Sequence, residues 1–221
     1  VFDFSLNSSF GFFAKLCGIK RRIGYDYRGR GRFLTDKIVF KGYEGKHVVE
    51  YYLDLLEKSS IPIIHKKPEI CITQEAQEWA QHWLKAHDIG QNCSLVAVIP
   101  GGGASWGNQA TQKHWPVEQY AFLVDKIVAK TKATIILMGD LKDKKLCQDL
   151  TSQCSSSLVD AVGQTSLLQM AVLLKRCSLA IVNDGGPLHV AVAAGVKTVS
   201  IFGPVDPKVY GPYPSANHLI V

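Results

Sequence analysis

Four short apolar runs constrain this chain more than any other feature: Leu95-Val96-Ala97-Val98-Ile99, Thr134-Ile135-Ile136-Leu137-Met138, Leu179-Ala180-Ile181-Val182 and Thr198-Val199-Ser200-Ile201-Phe202. The first three are apolar at nearly every position, as strands buried on both faces must be. Between the runs lie stretches of helical period. Val117, Tyr120, Ala121, Val124 and Val128 recur behind Pro116, a good first-turn residue. A polar helix to about Cys154 and a short Leu158-Val159 strand follow. Leu167, Met170, Ala171 and Leu174 then mark a helix that Thr165 or Ser166 would cap. Such alternation means a parallel sheet covered by helices on both sides. From about residue 92 the expected fold class is therefore α/β and Rossmann-like.

The first part is less regular. Phe2-Asp3-Phe4-Ser5-Leu6 and Arg21-Arg22-Ile23-Gly24-Tyr25 look like strands, and Ser8 to Cys17 looks like a Phe-rich helix. His47 to Glu57 is helical, with Val48, Tyr51, Tyr52 and Leu55 on one face. Residues 74–88 make another helix, with Trp79 and Trp83 one turn apart. Ser59-Ser60-Ile61-Pro62 to Lys67-Pro68 interrupts the periodicity twice by proline and is the linker candidate. The expectation is two α/β units, 1–66 and 67–221, facing each other across a cleft, with the early strands of the first unit missing. The apolar opening and the apolar ending His218-Leu219-Ile220-Val221 read as cuts from a longer protein.

Composition removes several classes. In 221 residues, 47% hydrophobic content is enough for a buried core and excludes disorder. No apolar run approaches the ~18–20 residues that span a bilayer. A net charge of +6 favours anionic partners without requiring nucleic acid. Cys17, Cys71, Cys93, Cys147, Cys154 and Cys177 form no framework and read as reduced thiols of a cytosolic protein. The seven histidines show no metal-ligand spacing, so no metal site is expected. No signal peptide is visible.

Ligands of open α/β sheets sit outside the carboxyl ends of the strands. Four such ends are readable: Gly101-Gly102-Gly103, Gly139-Asp140, Asp184-Gly185-Gly186 and Gly203-Pro204. Asn183-Asp184-Gly185-Gly186-Pro187-Leu188-His189 is the most informative. Two glycines free the backbone before a helix start, where unpaired amides and the helix dipole hold a phosphate, and His189 is placed to donate to the same anion. The plainer alternative is a turn capped by Asp184, with His189 an ordinary packing residue. Pro100-Gly101-Gly102-Gly103 with Lys113-His114-Trp115-Pro116 makes a second constellation, a glycine run that passes under a phosphate and a lysine that offsets its charge. Here the alternative is a loop with a solvated lysine. The dinucleotide fingerprint fails because Trp106 takes the third glycine position, and Asp140 lies too far on for the ribose contact. An NAD enzyme is disfavoured, and a phosphate-binding Walker loop is absent.

Lys20-Arg21-Arg22 with Arg28, Arg30 and Arg32 is punctuated by Tyr25, Tyr27 and glycines. Such a run holds the phosphates or carboxylates of an acidic lipid or sugar, binds single-stranded nucleic acid, or is a solvated loop.

Taken together, these pieces resemble glycosyltransferase family 9, the bacterial heptosyltransferases that build the inner core of lipopolysaccharide. The likeness rests on Pro100-Gly101-Gly102-Gly103 with Lys113-His114-Trp115-Pro116, on Gly139-Asp140-Leu141-Lys142-Asp143, on Asn183 to Ala191, and on Phe202-Gly203-Pro204-Val205-Asp206-Pro207. Arg21-Arg22-Ile23-Gly24-Tyr25 and His47-Val48-Val49-Glu50 add to it, and the likeness covers nearly the whole chain. The resemblance implies a GT-B architecture of two Rossmann-like domains, an ADP-heptose donor, inversion at the anomeric centre and no metal or other cofactor. It implies that Gly102 and Gly103 border the donor phosphates while Lys113 offsets their charge. Asp140 or Asp143 would meet the ribose and Asp184 would orient the donor sugar or its own turn. The Gly185 and Gly186 amides with His189 would hold the diphosphate. The family usually carries Ser or Thr where this chain has Gly185. Its general base lies in a Gly-Asp segment expected upstream of Val1, so no catalytic residue is assigned. The Gly-Asp-x-Lys-Asp stretch and the Asn7-Ser8 turn sit closer to the second heptosyltransferase type. The implied acceptor is Kdo-lipid A or heptosyl-Kdo-lipid A at the cytoplasmic face of the inner membrane. Arg22, Arg28, Arg30 and Arg32 would meet its acidic groups and the anionic membrane surface. The resemblance thus places the protein in the cytoplasm, peripheral to that membrane, with no nucleic-acid partner. A truncated, non-catalytic nucleotide-binding homologue is the alternative, and a nucleic-acid binder a more distant one.

Overall fold

A computed structural model of the chain describes residues 1–102 and 112–221. Two compact units divide it: Val1–Lys66 with Lys208–Tyr210, and Lys67–Pro207 with Gly211–Val221.

In the first unit the elements run β1 (Phe2–Asp3), α1 (Ser8–Leu16), β2 (Ile23–Tyr27), β3 (Asp36–Phe40) and α2 (Val48–Lys58). The strands pair in parallel in that order, Phe2 opposite Ile23 and Ile23 opposite Asp36. Asn7 caps α1 by accepting from the Ser9 amide, and His47 caps α2 by accepting from Val49. Ile23, Tyr25, Phe40 and Leu55 form the core, where the Tyr25 hydroxyl donates to the Tyr51 carbonyl at 2.6 Å. Only residues 28–35 join the parallel strands β2 and β3, fewer than such a crossover usually needs. Gly31 makes the short path possible. A Cβ there would lie 2.8 Å from the Cβ of Asp26, whose carboxylate accepts from the Gly31 amide and from Lys37.

The second unit begins with α3 (Gln74–Ala86), capped by Thr73, and β4 (Leu95–Ile99). It continues with α4 (Val117–Thr131), β5 (Thr134–Leu137), a 3-10 turn (Leu141–Asp143), α5 (Lys144–Gln153) and β6 (Leu158–Asp160). Next come α6 (Leu167–Arg176), β7 (Leu179–Asn183), α7 (Gly186–Ala194), β8 (Thr198–Ile201), α8 (Pro207–Tyr210) and β9 (His218–Ile220). The strands lie in the order β6-β5-β4-β7-β8-β9, every pairing parallel. This is the doubly wound Rossmann order.

Strand residues alternate between two separate cores. Leu95, Ala97, Ile99, Ile136, Ala180 and Val182 pack with Ala80, Trp83, Leu84, Met170, Leu174 and Leu188 on one face. Val96, Val98, Ile135, Leu137 and Ile181 pack with Tyr120, Val124, Cys147 and Leu150 on the other. So α3, α6 and α7 cover one face while α4 and α5 cover its opposite. That two-sided burial is why the strands read as unbroken apolar runs. It also locates the switch point: the chain leaves β4 for α4 on one face and leaves the adjacent β7 for α7 on the other.

Several elements differ from the sequence reading. β1 holds two residues rather than five, because Ser5 and Asn7 turn the chain around the Asp3 carboxylate. The strand expected from Arg21 starts at Ile23 and runs on to Tyr27. The ending His218-Leu219-Ile220 is the edge strand β9, with His218 opposite Thr198.

Candidate functional site

Four segments meet at the switch point between β4 and β7. β4 leads into Pro100-Gly101-Gly102, and β7 ends on Asn183 before Asp184-Gly185-Gly186. Lys113 returns ahead of α4, and the turn after β5 brings Asp143.

Lys113 is no solvated loop lysine. Its Nζ lies 2.6 Å from Asp184 Oδ2, and both side chains are about 5% exposed. Two charges removed from water hold each other in place; removing either leaves the other buried and uncompensated. The pairing also decides the first turn of α7. Asp184 is not its cap: the N-cap is Gly185, with no side-chain cap bond, while the Asp184 amide donates to Ile201. Gly186 follows as the first helical residue, and Pro187 contributes no amide.

Gly185 has φ 155 and ψ −171, a region essentially only glycine occupies. A Cβ on it would lie 1.8 Å from the Gly102 carbonyl oxygen. A Cβ on Gly102 would in turn meet the Asp184 carbonyl at 3.0 Å and the Lys113 stem at 3.5 Å. The two glycine segments are therefore in backbone contact, and no side chain fits at residue 185. Gly186, by contrast, is exposed, and a Cβ there would meet nothing within 4 Å. The unfilled space lies over the start of α7.

Asp140 and Asp143 form a capping box around the 3-10 turn. Asp140 accepts from the Lys142 and Asp143 amides, and Asp143 accepts from the Asp140 amide at 3.1 Å. The Asp143 carboxylate fills the space beside Gly101 and Gly139, where Cβ atoms would come within 2.2 and 2.8 Å of its oxygens. Burial raises its pKa, with the nearby Asp140 charge adding to the rise. Asp143 thus closes the crevice at the ends of β4 and β5, while Asp140 is exposed. His189 sits on the exposed side of the first turns of α7. Gly103 and Trp106 lie outside the described residues.

In the first unit the four arginines separate into two kinds. Arg22 is half-buried and structural: its Nε donates to Phe33 O at 2.7 Å and its Nη1 to the carbonyls of Ile19 and Lys20. Arg28, Arg30 and Arg32 are exposed on the β2–β3 connection. Arg28 and Arg30 lie over the Tyr27 ring and Arg32 over Phe33. Among the described residues, no three His, Cys, Asp or Glu side chains are grouped to hold a metal ion, and no helix is long and apolar enough to cross a membrane.

In the sequence Asn183 stands only as part of a motif and Tyr120 only as a core residue. Both are fully buried at the crevice floor and bonded to each other at 2.7 Å. The available signal was a carboxamide at the end of an otherwise apolar strand.

A doubly wound parallel sheet with glycine turns and a helix start at its switch point defines the Rossmann-like class of α/β proteins, in which ligands bind outside the carboxyl ends of the strands. Residues 5–221 match the model of Glycosyltransferase family 9 (heptosyltransferase), and the chain belongs to that family. Lipooligosaccharide heptosyltransferase 2 of Haemophilus influenzae is 27% identical over 219 residues, covering 94% of this chain and 60% of the relative. Among solved structures, a glycosyl transferase family 9 protein from Veillonella parvula superposes with TM-score 0.83 at 24% identity, over 96% of this chain and 58% of that one. E. coli ADP-heptose lps heptosyltransferase II gives TM-score 0.80 at 20% identity, over 100% and 67%. E. coli heptosyltransferase WaaC with ADP gives 0.62 at 19%, over 90% and 59%. The fold is that of these GT-B heptosyltransferases. The chain spans about 60% of the length of the curated relatives it matches first.

Proposed function

We propose that residues 67–221 are the donor-binding domain, and 1–66 part of the acceptor-binding domain, of an inverting heptosyltransferase. The donor is ADP-heptose and the acceptor an inner-core intermediate, heptosyl-Kdo-lipid A in preference to Kdo-lipid A. The observation that carries this reading is the exposed backbone at Gly186, a helix start at the switch point beside the buried Lys113–Asp184 pair. Relatives of this fold whose names specify ADP or ADP-heptose support the choice of donor.

In this account the diphosphate rests on the Gly185 and Gly186 amides, with Gly102 beneath it and His189 donating from the side. Lys113 supplies positive potential while Asp184 fixes its ammonium, and Asp184 presents its other oxygen toward the sugar. Asp140 or Asp143 receives the ribose hydroxyls. The acceptor oxygen attacks the anomeric carbon from the face opposite ADP, and the sugar–phosphate C–O bond breaks. The electron pair passes to the departing β-phosphate, and the hydroxyl proton goes to a base that no residue of this chain is assigned to supply. Preorganised amides, a helix dipole and a held ammonium stabilise charge that grows only as ADP leaves. No divalent cation is needed for that stabilisation. Arg28, Arg30 and Arg32 present cations to the acidic acceptor and to the anionic inner-membrane surface, from the cytoplasmic side. Arg22 acts by holding their loop.

The test is ligand protection. ADP at millimolar concentration with EDTA raises the thermal midpoint, whereas UDP and NAD do not. No shift with ADP, or equal shifts with all three, contradicts the reading.

A further inference from the structure

Between β4 and β7 the backbone ladder stops at Ile99 opposite Val182. One residue further on the connection is made by a side chain. Asn183 is fully buried, and its Nδ2 donates to the Pro100 carbonyl at 2.5 Å. Its Oδ1 accepts from the Tyr120 hydroxyl at 2.7 Å. The carboxamide has one orientation, because a carbonyl oxygen only accepts and Nδ2 must face it. Tyr120 is itself fully buried near the start of α4, its ring edge-on to Trp115 with centroids 5.0 Å apart. Burial raises its pKa, so the hydroxyl keeps its proton as a donor.

This chain of three groups crosses the switch point, where α4 and α7 depart to opposite faces and two backbones must diverge without drifting. Pro100 immediately precedes Gly101-Gly102, and Asn183 immediately precedes Asp184-Gly185. Both bonds therefore fix the separation of the glycine segments that touch at Gly102 and Gly185. We infer that Asn183 and Tyr120 are positioning residues of the donor crevice: the carboxamide, held by the phenol, sets where the Gly101-Gly102 and Gly185-Gly186 backbones stand. The inference rests on the donor-site reading for its consequence in binding. Its geometric content, that two buried groups set the glycine backbone, is tested separately.

The experiment compares the chain with Y120F, which removes one oxygen, and N183A. Glycine-selective ¹⁵N labelling reports on backbone position, and ADP titration reports on the crevice. In both variants the Gly101, Gly102, Gly185 and Gly186 signals shift or broaden while those of Gly18 and Gly90 stay in place. ADP affinity falls about tenfold, as expected when binding groups are displaced by a fraction of an ångström. A merely structural role gives the other pattern, a lower thermal midpoint with all four glycine signals unmoved, and that result overturns the inference. Wild-type chain that fails to bind ADP sinks the donor-site reading instead, while the glycine spectra still decide this one.

Discussion

Lys113 and Asp184, 71 residues apart in the chain, form an ion pair of 2.6 Å from which water is almost wholly excluded. The pair joins the segment that leads into α4 to the segment that leads into α7, so it fixes both sides of the crevice at once. Breaking such a pair from one side typically costs about 3–5 kcal/mol, whereas replacing both partners by apolar groups is close to neutral. K113M and D184L therefore each lower the thermal midpoint by about 10 °C, and the double variant recovers most of that loss. Calorimetry on the four proteins checks it. Equal, additive losses would mean that the two charges do not depend on each other.

Gly185 and Gly186 are adjacent but have opposite tolerances. G185A puts a methyl group 1.8 Å from the Gly102 carbonyl in a backbone region alanine rarely adopts, and destabilises by at least about 1–3 kcal/mol. G186A meets open space at a helix start and stabilises by about 0.4–1 kcal/mol. If the diphosphate rests there, the same methyl group weakens ADP binding while stability rises. Urea midpoints with ADP titrations check both halves. A G186A chain that binds ADP as well as wild type would move the ligand away from this turn.

The thiols divide by burial. Burial pushes Cys147 and Cys177 from 9.0 up to about 12, while Cys17 and Cys71 are exposed. At pH 8 a thiol reagent modifies Cys17 and Cys71 at once, and Cys147 and Cys177 only after unfolding. Between pH 9 and 12 the folded chain keeps protons that the unfolded chain releases, so stability falls as pH rises through that window. C177A makes the fall shallower. A stability profile flat from pH 9 upward would contradict this.

Asp125 acts with the opposite sign at low pH. The Ser155 and Ser156 amides donate to its carboxylate at 3.0 and 2.9 Å, and these bonds lower its pKa below the usual 3.8. Its contribution is present above that value and is lost as pH falls through the lowered one. D125A costs stability at pH 7 and loses its effect in strong acid, which acid titration of the thermal midpoint checks.

Arg22 and its neighbours separate by assay. R22A removes three donors to backbone carbonyls and lowers the stability of the first unit. R28E with R30E leaves stability within about 0.5 kcal/mol of wild type but weakens binding to anionic lipid vesicles. Denaturation and vesicle sedimentation measure the two effects. Unchanged sedimentation would remove these arginines from the acceptor side.

Much of the second unit was legible because two-sided burial writes itself into contiguous apolar strands, and because Ser166 and Pro116 mark helix starts in the sequence. β3 was not, since Asp36 and Lys37 open it and Val39 is 78% exposed, leaving little apolar pattern. Short elements such as β9 and α8 carry too few residues to show a period. At the site, the glycines and charges could be named but not paired. Lys113 meets Asp184, and Asn183 meets Tyr120, only once the strand order is known, because both contacts link the β4–α4 region to the end of the neighbouring β7. Likewise the capping role of Gly185 follows from Asp184 being held elsewhere. Arg22 stood in a run of like residues with nothing in the sequence to mark it as the one turned inward.

The proposed function requires a nucleoside diphosphate to sit on bare backbone at the start of α7. A crystal structure of the chain with ADP, grown in EDTA, tests this most directly. Density for the diphosphate is expected within hydrogen-bond distance of the Gly185 and Gly186 amides, beside an intact Lys113–Asp184 pair. ADP bound elsewhere, or appearing only when a divalent cation is restored, would contradict it.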